Sequence, residues 1–171
     1  MRVLVTYGSK MGGTAGLAEM IGEALRRDGV PARVLPAGAV RSLGGYDAVI
    51  VGGALYHGRW HRAACRFVRR HRSVLRAMPV WFFSSGPVGD AEQSPHIPPV
   101  AQVRRLMHSV GARGHATLGG RLLANPPALA AGFVPDPWLR DWRNPDGVAR
   151  WVAGITIQLT TGNARVASPL A

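Results

Sequence analysis

The chain has 171 residues, 47% of them hydrophobic and 18% charged, which is enough apolar material for one compact domain and too much for a disordered chain. Twenty-one basic residues against nine acidic ones give a net charge of +12, and every basic residue except Lys10 is arginine, so the field of the molecule favours anionic partners. Cys65 stands alone, which excludes an intrachain disulfide and a multi-cysteine zinc site and makes a reducing compartment, the cytoplasm, the expected home. Along the chain, short β-branched runs alternate with longer helical patterns, the signature of βαβ units and a mostly parallel sheet. Residues 2–7 predict a first strand, and 14–27 a helix with Leu17, Ile21, Ala24 and Leu25 at helical spacing, stopped by Asp28-Gly29. Residues 32–35 predict a second strand. Residues 46–53 predict a third around the unbroken run Ala48-Val49-Ile50-Val51, whose lack of alternation implies burial on both faces.

Residues 61–78 predict an amphipathic helix, with Ala64, Phe67, Val68, Leu75 and Met78 on one face and Arg62, Arg66, Arg69 and Arg76 on the other. Seven arginines and no acid fall between residues 48 and 89. Such a face is ordinarily just solvated; the functional alternative is attraction to an acidic partner protein or an anionic membrane surface. Residues 79–84 predict a fourth strand and 112–118 a fifth. A last helix is expected over 145–159, with Asn144 as N-cap and Pro145 at the first helical position. Residues 119–144, rich in Pro, Gly and Ala, read as an irregular connection inside a single domain spanning 1–171. The apolar run before Gly8 is too short for a signal-peptide core and no run reaches about 18 residues, so neither a leader nor a membrane span is expected. Peripheral attachment at the inner face of the membrane stays open. The arginine helix carries charge without a nucleic-acid reading motif, and no nucleic-acid partner is expected.

In an open parallel sheet, ligands bind beyond the carboxyl ends of the strands. The first such loop holds Ser9, Lys10, Met11, Gly12, Gly13 and Thr14. Adjacent glycines permit a tight turn with exposed N–H groups, the two hydroxyls add donors, and the following helix N-terminus favours negative charge, so the assembly suits a phosphate. Lys10 precedes the glycines and G-x-G-x-x-G is missing, which disfavours a nucleoside-triphosphate loop and a dinucleotide fingerprint. The second loop, Ala54, Leu55, Tyr56, His57 and Gly58 with Arg59 and Trp60 after it, offers close backbone approach and aromatic faces for a planar ligand. The third, Ser84, Ser85, Gly86, Pro87 and Val88, adds backbone donors and an apolar edge. Together they describe a site for a phosphorylated planar molecule.

These residues carry a resemblance. The order of elements, Ser9-x-x-Gly12-x-Thr14 and the two ring-facing loops resemble the flavodoxin family. Gly53-Ala54-Leu55-Tyr56-His57-Gly58-Arg59-Trp60-His61, with Phe67-Val68-Arg69-Arg70-His71 and Met78-Pro79, is similar to the flavodoxin-like branch containing the menaquinone-dependent protoporphyrinogen oxidases. The resemblance covers roughly residues 1–90 and resumes at 116–120 and 141–142. It implies a flavodoxin-like three-layer α/β sandwich with a five-stranded parallel sheet in the order 2-1-3-4-5. It also implies one non-covalent FMN, its phosphate on residues 9–14 and its ring between residues 54–58 and 84–88.

On this reading the chain is an FMN-dependent oxidoreductase passing electrons to a quinone or another acceptor, with an anionic protoporphyrinogen-like substrate drawn by the basic entrance. Two alternatives stand beside it: an electron-transfer module docking an acidic redox partner, and a flavin-free binding protein on the same fold. His57 and Arg59 are the candidate catalytic residues, placed to stabilise negative charge, against the plain alternatives of a loop-shaping imidazole and a solvated guanidinium. His57 and His61 straddle Gly58 and no metal is expected. Cys65 reads as packing. Trp60 is the tryptophan placed to meet a ligand, Trp81 and Trp151 read as core, and Trp138 with Trp142 as anchors of the long connection.

Overall fold

Continuous β-branched and aromatic runs leave no polar face to turn toward water, so strands built from them have to be covered on both sides. The computed structural model describes residues 1–10, 12–86, 97–120 and 143–166, with side chains described to residue 161. In it β1 (Val3–Gly8), β3 (Ala48–Tyr56) and β5 (Val80–Gly86) form the middle of a parallel sheet flanked by β2 (Ala32–Pro36) and β6 (Gly114–Gly119). The order β2-β1-β3-β5-β6 is the expected five-stranded flavodoxin-like arrangement. An additional two-residue strand, β4 (Arg59–Trp60), pairs antiparallel with the end of β3, Leu55 facing Trp60 and Tyr56 facing Arg59.

Alternate side chains of the central strands go to two apolar layers. Val3, Val5, Ile50, Trp81 and Phe83 pack under α1 (Gly13–Arg27) and α5 (Pro145–Val166), where Leu17, Ile21, Val152 and Ile155 are buried. Leu4, Val49, Val51, Val80 and Phe82 face α2 (Arg62–Arg70), α3 (Arg72–Leu75) and α4 (Ala101–Val110) through Phe67, Val68, Leu75, Val103 and Leu106. Each of the large side chains in these layers contributes about 1.5–3 kcal/mol through burial. At the outer edge, β2 turns Arg33 to solvent and ends at Pro36.

Several expectations need correction. The helix expected over 61–78 is two pieces: at His71 the backbone (φ −102°, ψ 16°) leaves helical geometry while the imidazole is drawn inward against Phe67. The hydrogen bonds His71 N to Phe67 O and Leu75 N to His71 O carry on across the joint, so the chain bends there without losing its apolar face. The third strand continues to Tyr56, making Ala54, Leu55 and Tyr56 strand residues in place of a loop. A helix at Ala101–Val110, between the fourth and fifth parallel strands, was not among the expected elements. The last helix extends to Val166 in place of 159. Met11, Pro87, Val88, Trp138, Trp142 and most of the irregular connection lie outside the described residues.

Candidate functional site

The carboxyl ends of β1 and β3 meet at one edge of the sheet, with Gly8 opposite Gly53. Gly8 is obligatory there by space: a Cβ would stand 2.7 Å from the backbone nitrogen of Ala64, so the end of β1 lies directly against the start of α2. Beyond it, Ser9 Oγ accepts from Gly12 N at 3.1 Å, closing a short turn. Gly12 takes the left-handed conformation (φ 77°) as the residue before α1. The helix start has no side-chain cap and no acidic residue in its first turn. Among the described residues no side chain caps the first N–H groups of α1, which carry the positive end of its dipole. Thr14 is 1% exposed, and its hydroxyl oxygen is buried with no hydrogen-bond partner among the described residues. A buried hydroxyl left unpaired is costly, and Thr14 is the second residue of α1, whose start has no side-chain cap. That donor set fits a phosphate.

The second expected loop is a β-hairpin. His57 (φ 49°) and Gly58 (φ 71°) both adopt positive φ, as a two-residue turn of the primed type requires, and both are exposed at its tip. His57 thus shapes the turn, and Arg59 is exposed beside it. Ala54 is buried and its carbonyl accepts from His61 N at 2.8 Å. Leu55 and Tyr56 are half-buried. Tyr56 joins the two loops, its hydroxyl accepting from Lys10 N at 3.4 Å, with its ring edge-on to His61.

Trp60 departs from its expected role. It is 3% exposed, stacked on Phe82 at 5.0 Å between ring centroids, and its Nε1–H donates to Ser84 Oγ at 2.8 Å. It packs into the space left by Gly53, and is therefore a core side chain fastening the hairpin to β5. Ser84 is corrected with it: its hydroxyl is buried between Trp60 and His115 Nε2, 2.9 Å away, so it points into the sheet and not toward a ligand. Ser85 is buried and Gly86 half-buried at the end of β5, where the Gly86 carbonyl accepts from Gly120 N at 3.0 Å. The sequence reading missed Gln102 and His115. Gln102 Oε1 accepts from Trp60 N at 2.9 Å, bracing the hairpin from α4. The apolar spacing of Val103, Leu106 and Val110 was the available signal for that helix.

His61 caps α2, its Nδ1 accepting from Ala63 N at 3.3 Å, which requires an unprotonated nitrogen. Burial, then Arg62 and Lys10, hold its pKa below the ordinary value; burial, then Arg70, do the same for His71, against a small opposing effect of a hydrogen bond with the Val40 backbone. The folded chain then binds fewer protons than the unfolded chain. Stability is complete above the unfolded value of 6.5 and is lost as pH falls through it toward the folded values. Urea midpoints are expected to drop between about pH 7.5 and pH 5.5, and to drop less in His61→Asn, which keeps a capping acceptor without titrating. Equal drops in both proteins would remove His61 from the explanation.

Residues 4–125 match the flavodoxin domain family. The chain belongs to that family. A curated relative of this flavodoxin-domain protein, protoporphyrinogen IX dehydrogenase [quinone] of Escherichia coli K12, is 28% identical over 86 residues, which cover 49% of this chain and 48% of the relative. The chain thus matches about half the length of that relative. Among solved structures, a cysteine-to-serine mutant of Pseudomonas aeruginosa flavodoxin superposes with a TM-score of 0.60 at 19% identity, covering 94% of this chain and 99% of that one. Oxidised flavodoxin 1 of Bacillus cereus gives 0.58 at 15% identity, covering 90% and 95%. These likenesses establish the fold. Among the described residues of the flavodoxin-domain chain, no helix is long and apolar enough to cross a membrane.

Proposed function

We propose that this flavodoxin-domain protein is an FMN-dependent oxidoreductase. The observation that carries the reading is Thr14: a buried, unpartnered hydroxyl at an uncapped helix start, next to Ser9 and Gly12, is a donor set awaiting an anion. When bound, FMN supplies hydride acceptance and onward electron transfer to a quinone or another acceptor. Thr14, Ser9 and the first N–H groups of α1 would hold the phosphate. The hairpin, with Tyr56 at its inner end, and the end of β5 with Ser85 and Gly86 would bound the ring. Lys10, His57 and Arg59 place positive or polar groups at the same edge, where they favour negative charge. The partial match to a protoporphyrinogen dehydrogenase supports an anionic tetrapyrrole as the substrate class, consistent with an entrance that carries arginines and, among the described residues, no acid.

The basic face from Arg62 to Arg76 favours a second reading, an electron-transfer protein that docks an acidic protein partner or an anionic membrane surface through α2 and α3. Association of that kind weakens steeply with salt, whereas turnover of a small substrate in a pocket weakens less.

The deciding measurement is the visible absorption spectrum of the purified chain before and after excess FMN, followed by gel filtration. The expected result is a flavin spectrum co-eluting at about one FMN per chain. Protein that emerges colourless from both samples would leave only a flavin-free binding protein on this fold.

A further inference from the structure

A cleft of about 1060 Å3 opens between the β3–β4 hairpin and α2. Lys10, Arg59, Arg62, Arg66, Arg69 and Arg70 line it, and among the described residues no carboxylate does. Among the described residues none of these six cations pairs with an acid. Arg62, Arg66, Arg69 and Arg70 follow one another at i, i+4, i+7 and i+8, a row of guanidinium groups covering about 12 Å of helix at 1.5 Å per residue. Like charges at this spacing destabilise a helix, and Arg62 stands at its N-terminal end, where the macrodipole disfavours a cation. Nothing within the described chain offsets either cost. An anion in the cleft would offset both.

The walls narrow the choice of anion. Tyr56 contributes a half-buried ring, backed by the buried Trp60 and Cys65, and Gln102 also lines the space, its oxygen engaged by Trp60 N and its amide N–H groups left to donate. A concave space with an aromatic ring and an amide donor in its lining encloses a small molecule better than it meets a flat membrane or a convex protein surface. Guanidinium forks match carboxylates and phosphates in pairs, and a row of this length addresses several of them.

We infer that the cleft is a binding site for a small organic polyanion whose carboxylate or phosphate groups are spread over about 12 Å. Lys10 and Tyr56 lie both in this cleft and at the edge proposed for FMN, so the ligand would stand beside the flavin. That last clause rests on the flavin reading; binding of the polyanion does not.

The test is calorimetric titration of the full chain, with and without added FMN, using mellitate and tripolyphosphate as polyanions and acetate and orthophosphate as single-anion controls. Both polyanions are expected to bind at least about tenfold more tightly than the controls. Arg62→Glu/Arg66→Glu is expected to weaken them by about tenfold or more. Arg33→Glu/Arg41→Glu, the same charge change on exposed residues of β2 and of the segment between β2 and β3, is expected to weaken them by less than about threefold. Arg59→Gln/Arg70→Gln repeats the loss without charge reversal, should the first variant fail to fold. Equal losses in the cleft and remote variants would reduce the effect to net charge and overturn the site. So would wild-type protein that sediments with phosphatidylserine vesicles yet binds neither polyanion. Polyanion binding without FMN binding keeps the cleft and sinks the flavin reading; FMN binding without polyanion binding does the reverse.

Discussion

Gly53→Ala is expected to lower the free energy of unfolding by about 2–3 kcal/mol, while Gly154→Ala raises it by up to about 1 kcal/mol. The same added methyl group has opposite effects because of what it meets. At Gly53 a Cβ would lie 2.6–2.8 Å from three atoms of the Trp60 indole, closer than carbon atoms approach. The indole has little room to yield: it is stacked on Phe82, and its Nε1–H is bonded to the buried Ser84 hydroxyl. Relief requires breaking that bond or lifting the hairpin off β5. At Gly154, on the exposed side of α5, a Cβ meets no atom within 4 Å, and alanine gains the usual helix preference over glycine. Urea denaturation of both variants reads the difference. A Gly53→Ala midpoint equal to wild type would mean that Trp60 is not seated where its hydrogen bonds put it.

Thr14→Val is expected to leave the flavin-free protein as stable as wild type or slightly more so, and to weaken FMN binding by about 10- to 100-fold. Valine is close in volume and removes a buried hydroxyl that has no partner, so the folded chain no longer bears the desolvation of that group. The same hydroxyl would give a phosphate a charge-assisted hydrogen bond in a water-excluded position, worth about 1.5–3 kcal/mol. Equilibrium titration with FMN and thermal unfolding without it separate the two effects. A variant that loses stability without FMN and keeps its FMN affinity would show that Thr14 packs the helix start and does not address the ligand.

The sheet was readable from the chain because its central strands are unbroken apolar runs between helical periods, the pattern of parallel strands covered by helices on both faces. The turn ahead of α1 was readable from the order of Ser9, Gly12, Gly13 and Thr14, although nothing in that order tells that the Thr14 hydroxyl is buried without a partner among the described residues. The hairpin was missed because His57-Gly58 lacks the Asn-Gly signature of a primed turn; histidine reaches positive φ there with pairing from Arg59 and Trp60 on its far side. Trp60 was misassigned for a related reason. An indole after a glycine-rich run reads as a ligand platform, yet Gly52 and Gly53 clear space for Phe83 and for Trp60 itself. The bend at His71 depends on a side chain turning inward against Phe67, a tertiary choice that helical periodicity does not register.

The outer strand β2 has a consequence for how the molecule behaves in a crowd. A sheet edge offers unpaired backbone groups to any neighbouring chain, and exposed flat edges recruit strands from other copies into aggregates. Here that edge is five residues long, presents the guanidinium of Arg33 to solvent and terminates in Pro36, which has no N–H to offer. A second copy approaching this edge would have to bury an arginine beside its own and forgo a hydrogen bond at the end. Arginine and proline on this edge thus discourage the chain from polymerising with itself.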